Sequence, residues 1–255
     1  MFEKGFTESR ERAKTTIMSG LVFVNGQRVD KPGTPVDPEA HIEVHGDAIP
    51  FVSRGGFKLD KALKVFPVDP TGKVCIDCGA STGGFTDVLL QHGAARVYAV
   101  DVGYGQLAWK LRNDERVVNL ERTNLRYVDE EQIPEALDLA VMDVSFISIK
   151  LVLPAVQRLL KPGADFICLI KPQFEAGREE VGKKGVVRDP AVHEEVVSGI
   201  LAFVPSLGMT VMGLDYSPVK GPEGNIEYIC YLKNGEYKGP EIDVKAVVAA
   251  SHEAL

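Results

Sequence analysis

Four charged residues in this chain sit where a charge is costly unless it is used. Lys58 follows Ser53-Arg54-Gly55-Gly56-Phe57, Asp143 closes the apolar run 139–142, Lys171 closes the apolar run 166–170, and Glu227 lies within the apolar run 226–232. Ionised groups are seldom buried without a partner, so such residues are kept either for ion pairs or for chemistry. Singly, each reads equally well as a solvated strand-end charge or a structural ion pair. Two lysines and two carboxylates gathered at one edge of a sheet are more specific than any member alone.

A second constellation precedes them. The apolar stretch 74–78 contains Asp77 and runs into Gly79-Ala80-Ser81-Thr82-Gly83-Gly84-Phe85, after which a helix pattern begins. A glycine-rich turn between a strand and a helix lets backbone approach a ligand closely, and the helix N-terminus then presents free N–H groups to it. The next apolar strand ends at Asp101, where a carboxylate can accept hydrogen bonds from ribose hydroxyls. The G-x-x-x-G-G spacing matches neither the dinucleotide fingerprint nor the triphosphate loop, and no lysine follows the glycines. S-adenosylmethionine carries an ammonium and a sulfonium, so a turn flanked by Asp77 and Asp101 suits it. A tight turn with no ligand remains the plainer alternative for the glycines alone.

These residues need a scaffold, and the hydrophobic pattern supplies one. Strands are expected at 74–78, 97–101, 117–120, 139–143, 166–170, 209–214 and 226–232, with helices between most of them and one over 56–66. Alternating strand and helix imply an α/β fold with a mostly parallel sheet covered on both faces. In such a sheet the ligand crevice lies at the carboxyl ends of the strands, so Asp143 and Lys171 should face the crevice of the glycine turn. The last two strands have no helix between them and are expected to end the chain as an antiparallel pair. Ahead of this unit the pattern is short and polar. It reads as a helix over 8–19 stopped by Gly20, an Asn25-Gly26 hairpin, a Pro/Gly loop, a strand at 41–44 and a linker at 45–53.

Composition narrows the function classes. The chain has 255 residues, 45% hydrophobic and 25% charged, with a net charge of −7. That charge does not advertise nucleic-acid binding, but residues 1–66 carry ten Lys/Arg against nine Asp/Glu, while the remainder carries 19 against 27. The N-terminal part is therefore the less acidic. There Arg10, Arg12 and Lys14 lie on the expected helix, Arg28 and Lys31 in the hairpin region and Arg54 beside Lys58; all are candidate phosphate contacts. A second basic stretch, with Arg178, Lys183, Lys184 and Arg188, follows Lys171 in a glycine-bearing loop, the kind of loop that often clamps a substrate. Cys75 and Cys78 spell C-x-x-C, but on a strand they point to opposite faces, and no histidine cluster accompanies them, so no metal is expected. No apolar run approaches the roughly 18 residues needed to span a bilayer. The opening Met1-Phe2-Glu3-Lys4-Gly5 has no signal pattern, so a cytoplasmic protein is expected.

The order Lys58, Asp143, Lys171, Glu227 resembles the K-D-K-E tetrad of FtsJ-like ribose 2′-O-methyltransferases. Six stretches bring the chain closer to the TlyA family, which also carries the hemolysin A name. They are Ser9-Arg10-Glu11-Arg12-Ala13-Lys14, residues 52–59, residues 77–85, Met142-Asp143-Val144-Ser145-Phe146-Ile147-Ser148, Ile170-Lys171-Pro172-Gln173-Phe174-Glu175 and residues 224–228. The resemblance implies 2′-O-methylation of cytidine in ribosomal RNA, hence ribosomal subunits as partners. It implies a Rossmann-like class I methyltransferase domain over 54–255, after an alpha-L type RNA-binding domain over 1–44 that opens later than in the family. It also implies Lys58, Asp143, Lys171 and Glu227 as catalytic residues. S-adenosylmethionine would be held by Asp77, Gly79, Ala80, Ser81, Thr82, Gly83, Gly84, Phe85, Asp101 and Asp143.

A ribose hydroxyl is a poor nucleophile until its proton is leaving. Lys171 is then expected as general base or as the cation facing the developing alkoxide. Asp143 would orient it, Lys58 would orient the hydroxyl and Glu227 would fix a lysine. Three rival readings are weaker. A base-nitrogen methyltransferase would often carry an Asn-Pro-Pro-Tyr-like motif where Asp143-Val144-Ser145-Phe146 stands, and a carbon-5 enzyme needs a cysteine at the crevice. A membrane-active hemolysin-type protein would need a spanning segment or a basic amphipathic helix. An RNA-binding module with an inert catalytic domain would not need all four charged residues.

Overall fold

The structure, a computed structural model, describes residues 1–7, 9–18, 20–45 and 50–255. The chain opens with α1 (Arg10–Met18), followed by β1 (Val22–Val24), β2 (Gln27–Val29) and β3 (Ile42–Val44). β1 lies between the other two strands, antiparallel to both. The hairpin turns at Asn25 and Gly26, both with positive φ (50° and 77°), the backbone that a two-residue turn between right-twisted strands requires. The expected helix over 8–19 is observed as α1; Glu8 and Ser19 fall outside the described residues. The expected linker is packed at its far end. Phe51 is buried against Phe57, with ring centroids 5.6 Å apart, and Val52 N donates to Asp87 Oδ2 at 2.8 Å. Positions 46–49 of that stretch fall outside the described residues.

The larger unit runs α2 (Gly56–Val65), β4 (Val74–Cys78), α3 (Gly84–Gln91), β5 (Arg96–Val100), α4 (Trp109–Arg112) and β6 (Val117–Leu120). It continues through β7 (Leu137–Met142), α5 (Leu153–Gln157), β8 (Leu160–Ile170), α6 (Pro172–Glu175) and α7 (Pro190–Phe203). It closes with β9 (Met209–Tyr216), β10 (Tyr228–Asn234) and α8 (Val244–Ala254). The seven strands form one sheet in the order β6-β5-β4-β7-β8-β10-β9. Strands β4 to β8 pair in parallel, and β10 is antiparallel to both β8 and β9. This is the α/β sheet with an antiparallel C-terminal strand pair that the pattern implied, in the Rossmann-like arrangement that the resemblance implied. The chain order reverses between β4 and β7, so a crevice opens at their carboxyl ends.

Both faces of the sheet are buried, which is why its strands read as nearly continuous apolar runs. Ile76, Met142, Phe166 and Cys168 pack into one layer, and Cys75, Leu139, Ile167 and Ile229 into the other. Cys75 and Cys78 do face opposite layers, and burial pushes the Cys75 thiol up to about 12. Two expectations need correction. The strand pair does not end the chain, because α8 follows it and packs against α7, with Val248 and Ser251 buried and its alanines exposed. Glu227 is not inside a strand: β10 starts at Tyr228, and Glu227 lies on the approach, where its side chain is free to turn into the crevice.

Candidate active site

The glycine turn leaves β4 at Gly79, whose φ is +84°. A Cβ there would lie 2.7 Å from the Asp143 carbonyl oxygen, so only glycine lets the turn rest against the end of β7. Gly83 caps α3 in the left-handed region, φ 94°, and its missing side chain makes room for Leu111 and Leu107. Asp77, fully buried just before the turn, accepts from Thr86 N at 2.9 Å and Thr86 Oγ1 at 2.7 Å, both through Oδ2. Its Oδ1 is buried without a hydrogen-bond partner. Burial pushes its carboxyl up to about 7, although the Thr86 bonds pull the other way. A buried carboxylate oxygen with nothing to accept from fits a cationic group arriving at the turn.

Asp101 behaves differently from Asp77. Its Oδ2 accepts from Ser81 N at 2.8 Å and its Oδ1 from Gly103 N at 2.7 Å, so it braces the glycine turn against the loop after β5. Both oxygens are engaged within the protein, and Asp101 is not part of the cleft wall, whereas Asp77, Gly79, Ala80, Ser81, Thr82, Gly84 and Phe85 are. Gly83 stands behind that wall, at the start of α3.

The four charged residues converge although the chain separates Lys58 from Glu227 by 169 positions. Lys58 Nζ donates to Glu227 Oε2 at 2.6 Å and to Asp143 Oδ2 at 3.1 Å. Lys171 Nζ lies 2.5 Å from Asp143 Oδ1 as an ion pair; its angles fall outside hydrogen-bond geometry, and its directed bond goes to Ser145 Oγ at 3.0 Å. Asp143 therefore bridges both lysines, and Glu227 holds only Lys58. Burial opposes charge on Asp143, yet the nearby Lys58 and Lys171 outweigh it and hold its carboxyl below the usual range. Burial likewise opposes charge on Lys58, but Asp143 and Glu227 together raise its pKa, so it stays protonated.

Both sites open into one cleft of about 910 Å³, whose wall includes Lys58, Asp143, Lys171 and Glu227. Of the candidate phosphate contacts, Arg12, Lys14 and Arg54 line it, and Arg54 is steadied by donating to the Lys220 carbonyl at 3.1 Å. Arg10 lies outside it, in an exposed pair with Glu3 at 3.4 Å. Arg28 and Lys31 are also outside; the Arg28 guanidinium lies over Gly20.

Sequence reasoning assigned no role to four residues in or beside the cleft. Ser145 holds Lys171. Gln106 accepts from Ser81 Oγ at 3.3 Å, and Trp109 stands 69% exposed at the rim. Phe146, 90% exposed with φ 64°, leans on Phe174 beside Lys171. Of these only Ser145 and Phe146 had a signal, lying directly after Asp143 in an otherwise apolar stretch. Among the described residues no three His, Cys, Asp or Glu side chains converge to hold a metal ion, and no helix is long and apolar enough to cross a membrane.

The glycine turn and the Lys-Asp-Lys-Glu cluster thus meet at the reversal point of a Rossmann-like sheet. The FtsJ-like methyltransferase model matches residues 51–234 and the S4 domain model residues 1–42. The chain belongs to the FtsJ-like methyltransferase family and carries an S4 domain ahead of the catalytic unit. It is 50% identical over its whole length, and 93% of the other chain, to a Bacillus subtilis protein provisionally named the rRNA methyltransferase YqxC. It is 43% identical, over its whole length and 95% of the other chain, to the Mycobacterium tuberculosis 16S/23S rRNA (cytidine-2′-O)-methyltransferase TlyA. A solved Streptococcus thermophilus structure, provisionally described as a hemolysin, superposes with a TM-score of 0.82 at 45% identity, covering 99% of this chain and 94% of that one. A Listeria monocytogenes structure described as an S-adenosylmethionine-dependent methyltransferase shares the fold alone, with a TM-score of 0.55 at 17% identity over 71% of this chain and 98% of that one.

Proposed function

We propose that this methyltransferase uses S-adenosylmethionine to methylate the 2′-hydroxyl of a cytidine ribose in ribosomal RNA, acting in the cytoplasm on ribosomal subunits. The observation that carries the reading is the Lys58–Asp143–Lys171–Glu227 cluster packed against the glycine turn, with the unpartnered Asp77 oxygen on the same cleft. The S4 domain and the rRNA substrates named for the two relatives supply the acceptor class.

When bound, S-adenosylmethionine supplies a methyl group already activated on a sulfonium. Asp77 would hold its cationic portion, and the backbone of Gly79, Ala80, Ser81, Thr82, Gly83, Gly84 and Phe85 would seat the rest. Asp101 would act from the second row by keeping Ser81 and the loop after β5 in place, with Asp143 bordering both sites. Lys58, locked as a cation by Glu227 and Asp143, orients the ribose hydroxyl. Lys171, aimed by Ser145 and Asp143, faces the oxygen as a cation while charge develops on it, or takes the hydroxyl proton once it has itself given up a proton and become a neutral amine. In-line positioning of acceptor and methyl carries much of the acceleration in such a transfer. Arg12, Lys14 and Arg54 would hold phosphates next to the target, with Arg10, Arg28 and Lys31 touching RNA further out.

The test is methyl transfer from labelled S-adenosylmethionine to separated, unmodified ribosomal subunits, with Lys171→Ala alongside. Label mapped to a ribose 2′-oxygen and lost in the variant is the expected result. Label on a base, or wild-type turnover in the variant, overturns the assignment.

A further inference from the structure

The segment between α6 and α7 begins one short helix after Lys171, and its charges are unevenly placed. Its acidic groups are turned onto backbone. Glu180 Oε2 accepts from Gly177 N at 2.9 Å, the Glu179 carboxylate folds over Gly177, and Asp189 caps α7 by accepting from Ala191 N at 2.9 Å. Its four cations, Arg178, Lys183, Lys184 and Arg188, are exposed and form no ion pair among the described residues. Hydrogen bonds to backbone do not remove the charge of Glu179, Glu180 and Asp189, so residues 177–189 carry four cations against three carboxylates. The positive potential is local to the adjacent Lys183 and Lys184, on a chain whose net charge is −7.

The segment is also folded. Gly185 N donates to the Gly182 carbonyl at 2.8 Å and Gly182 N to the Val186 carbonyl at 3.1 Å, closing a tight turn with Lys183 and Lys184 at its tip. Val186 and Val187 are buried beneath it. Asn225, 2% exposed, pins the turn from the other side: its Oδ1 accepts from Val187 N at 3.0 Å and its Nδ2 donates to the Gly185 carbonyl at 2.9 Å. The Asn225 carbonyl in turn accepts from Gly221 N at 2.8 Å, and Gly221 is part of the cleft wall, against the Glu227 carboxylate. The basic tip is thus fastened through one buried amide to the segment that carries Glu227.

We propose that residues 177–189 form a second RNA-contacting surface, a preformed basic prong that grips backbone phosphates beside the target nucleotide, and that Asn225 is the positioning residue locking it to the cleft. A preformed cationic tip binds phosphate without the ordering cost that a floppy loop incurs. This surface is distinct from the S4 domain, and it rests on the reading that the acceptor is RNA.

The experiment uses the full chain, with a Lys183→Ala/Lys184→Ala double variant and unmodified ribosomal subunits across a salt series. Loss of two phosphate contacts should make the slope of log affinity against log salt shallower by about 1.4 to 1.8. The KM for subunits should rise about tenfold, with kcat changed less than about twofold and cofactor binding unaltered. Asn225→Ala should raise the same KM with kcat little changed, and should add little to the double variant. A double variant with wild-type slope and KM, while the wild type methylates RNA, overturns the prong alone. A wild type that binds cofactor yet neither binds nor methylates ribosomal RNA overturns the RNA reading and the prong with it.

Discussion

The carboxyl ends of β4 and β7 lie side by side in the sheet, and each carries an aspartate, the two in opposite electrostatic circumstances. Asp77 has hydroxyl and amide donors on one oxygen and nothing on the other, and its carboxyl is pushed up to about 7. Asp143, partly exposed to the cleft, sits between two lysines and is held below the usual range. The same residue type at neighbouring strand ends therefore does two jobs. One end of the crevice is an incomplete site that gains from an incoming cation. The other is a finished ionic cluster whose charges are already balanced and aimed.

The largest separation between the two regions should come from Lys171→Ala. Single-turnover methyl transfer should fall by about 10² to 10³, the usual cost of removing one positioned polar group, while cofactor affinity stays within about twofold. An equal loss of cofactor affinity would merge the two regions into one. Asp143→Asn should follow, because it leaves two buried lysines short of a counter-charge. Denaturant unfolding should show about 3–5 kcal/mol of lost stability. Asp77→Asn should cost little or stabilise at neutral pH, which would invert if Asp77 were already paired.

The pH dependence sharpens the contrast. Asp77 has a folded pKa above its unfolded value, so the folded state holds the proton more tightly. Its contribution should lower stability as pH rises from about 4 to about 7, by up to about 4 kcal/mol, and Asp77→Asn should remove that slope. Wild-type cofactor affinity should weaken as pH falls through about 7, and the variant should be weak and flat. Asp143 has the opposite sign: its stabilisation is present above its unfolded pKa and lost as pH falls through its lower folded value. Calorimetric unfolding from acid to neutral pH separates the two.

Smaller effects lie at the edges of the cluster. Ser145→Ala should lower kcat about tenfold, as expected for a hydrogen bond to a charged group, with KM unchanged. Arg12→Ala with Lys14→Ala should raise the KM for RNA more than Arg10→Ala, since only the first two line the cleft. Equal effects would mean that α1 contacts RNA away from the cleft.

Much of this was legible from residue order. The Asn25-Gly26 hairpin, the strand-then-glycine turn at Asp77 and the lysine and aspartate at strand ends all rest on short-range rules. Turn residues accept φ values that others avoid, and apolar period reveals which strands are covered on both faces. Period alone put Glu227 inside a strand, because Ile226 and Tyr228 flank it with apolar side chains. The helix α8 went unread because nothing in its local pattern says that a sheet edge is there to receive it.

The remaining features are long-range pairings, and these belong to the folded molecule. Residue order implied a lysine partner for Glu227, but only the sheet order brings it to Lys58 and leaves Asp143 between the two lysines. Asp101, expected to face a ribose, also accepts from Ser81 N and Gly103 N, one bond on each oxygen, an arrangement set by how closely the two loops approach. Which basic residues face the cleft was equally unreadable, since Arg10, Arg12 and Lys14 share one helix and only its packing turns two of them inward. Local propensity acts over a few residues and is written in the chain. Partner choice among charges depends on distance and burial, which exist only after the chain has closed on itself.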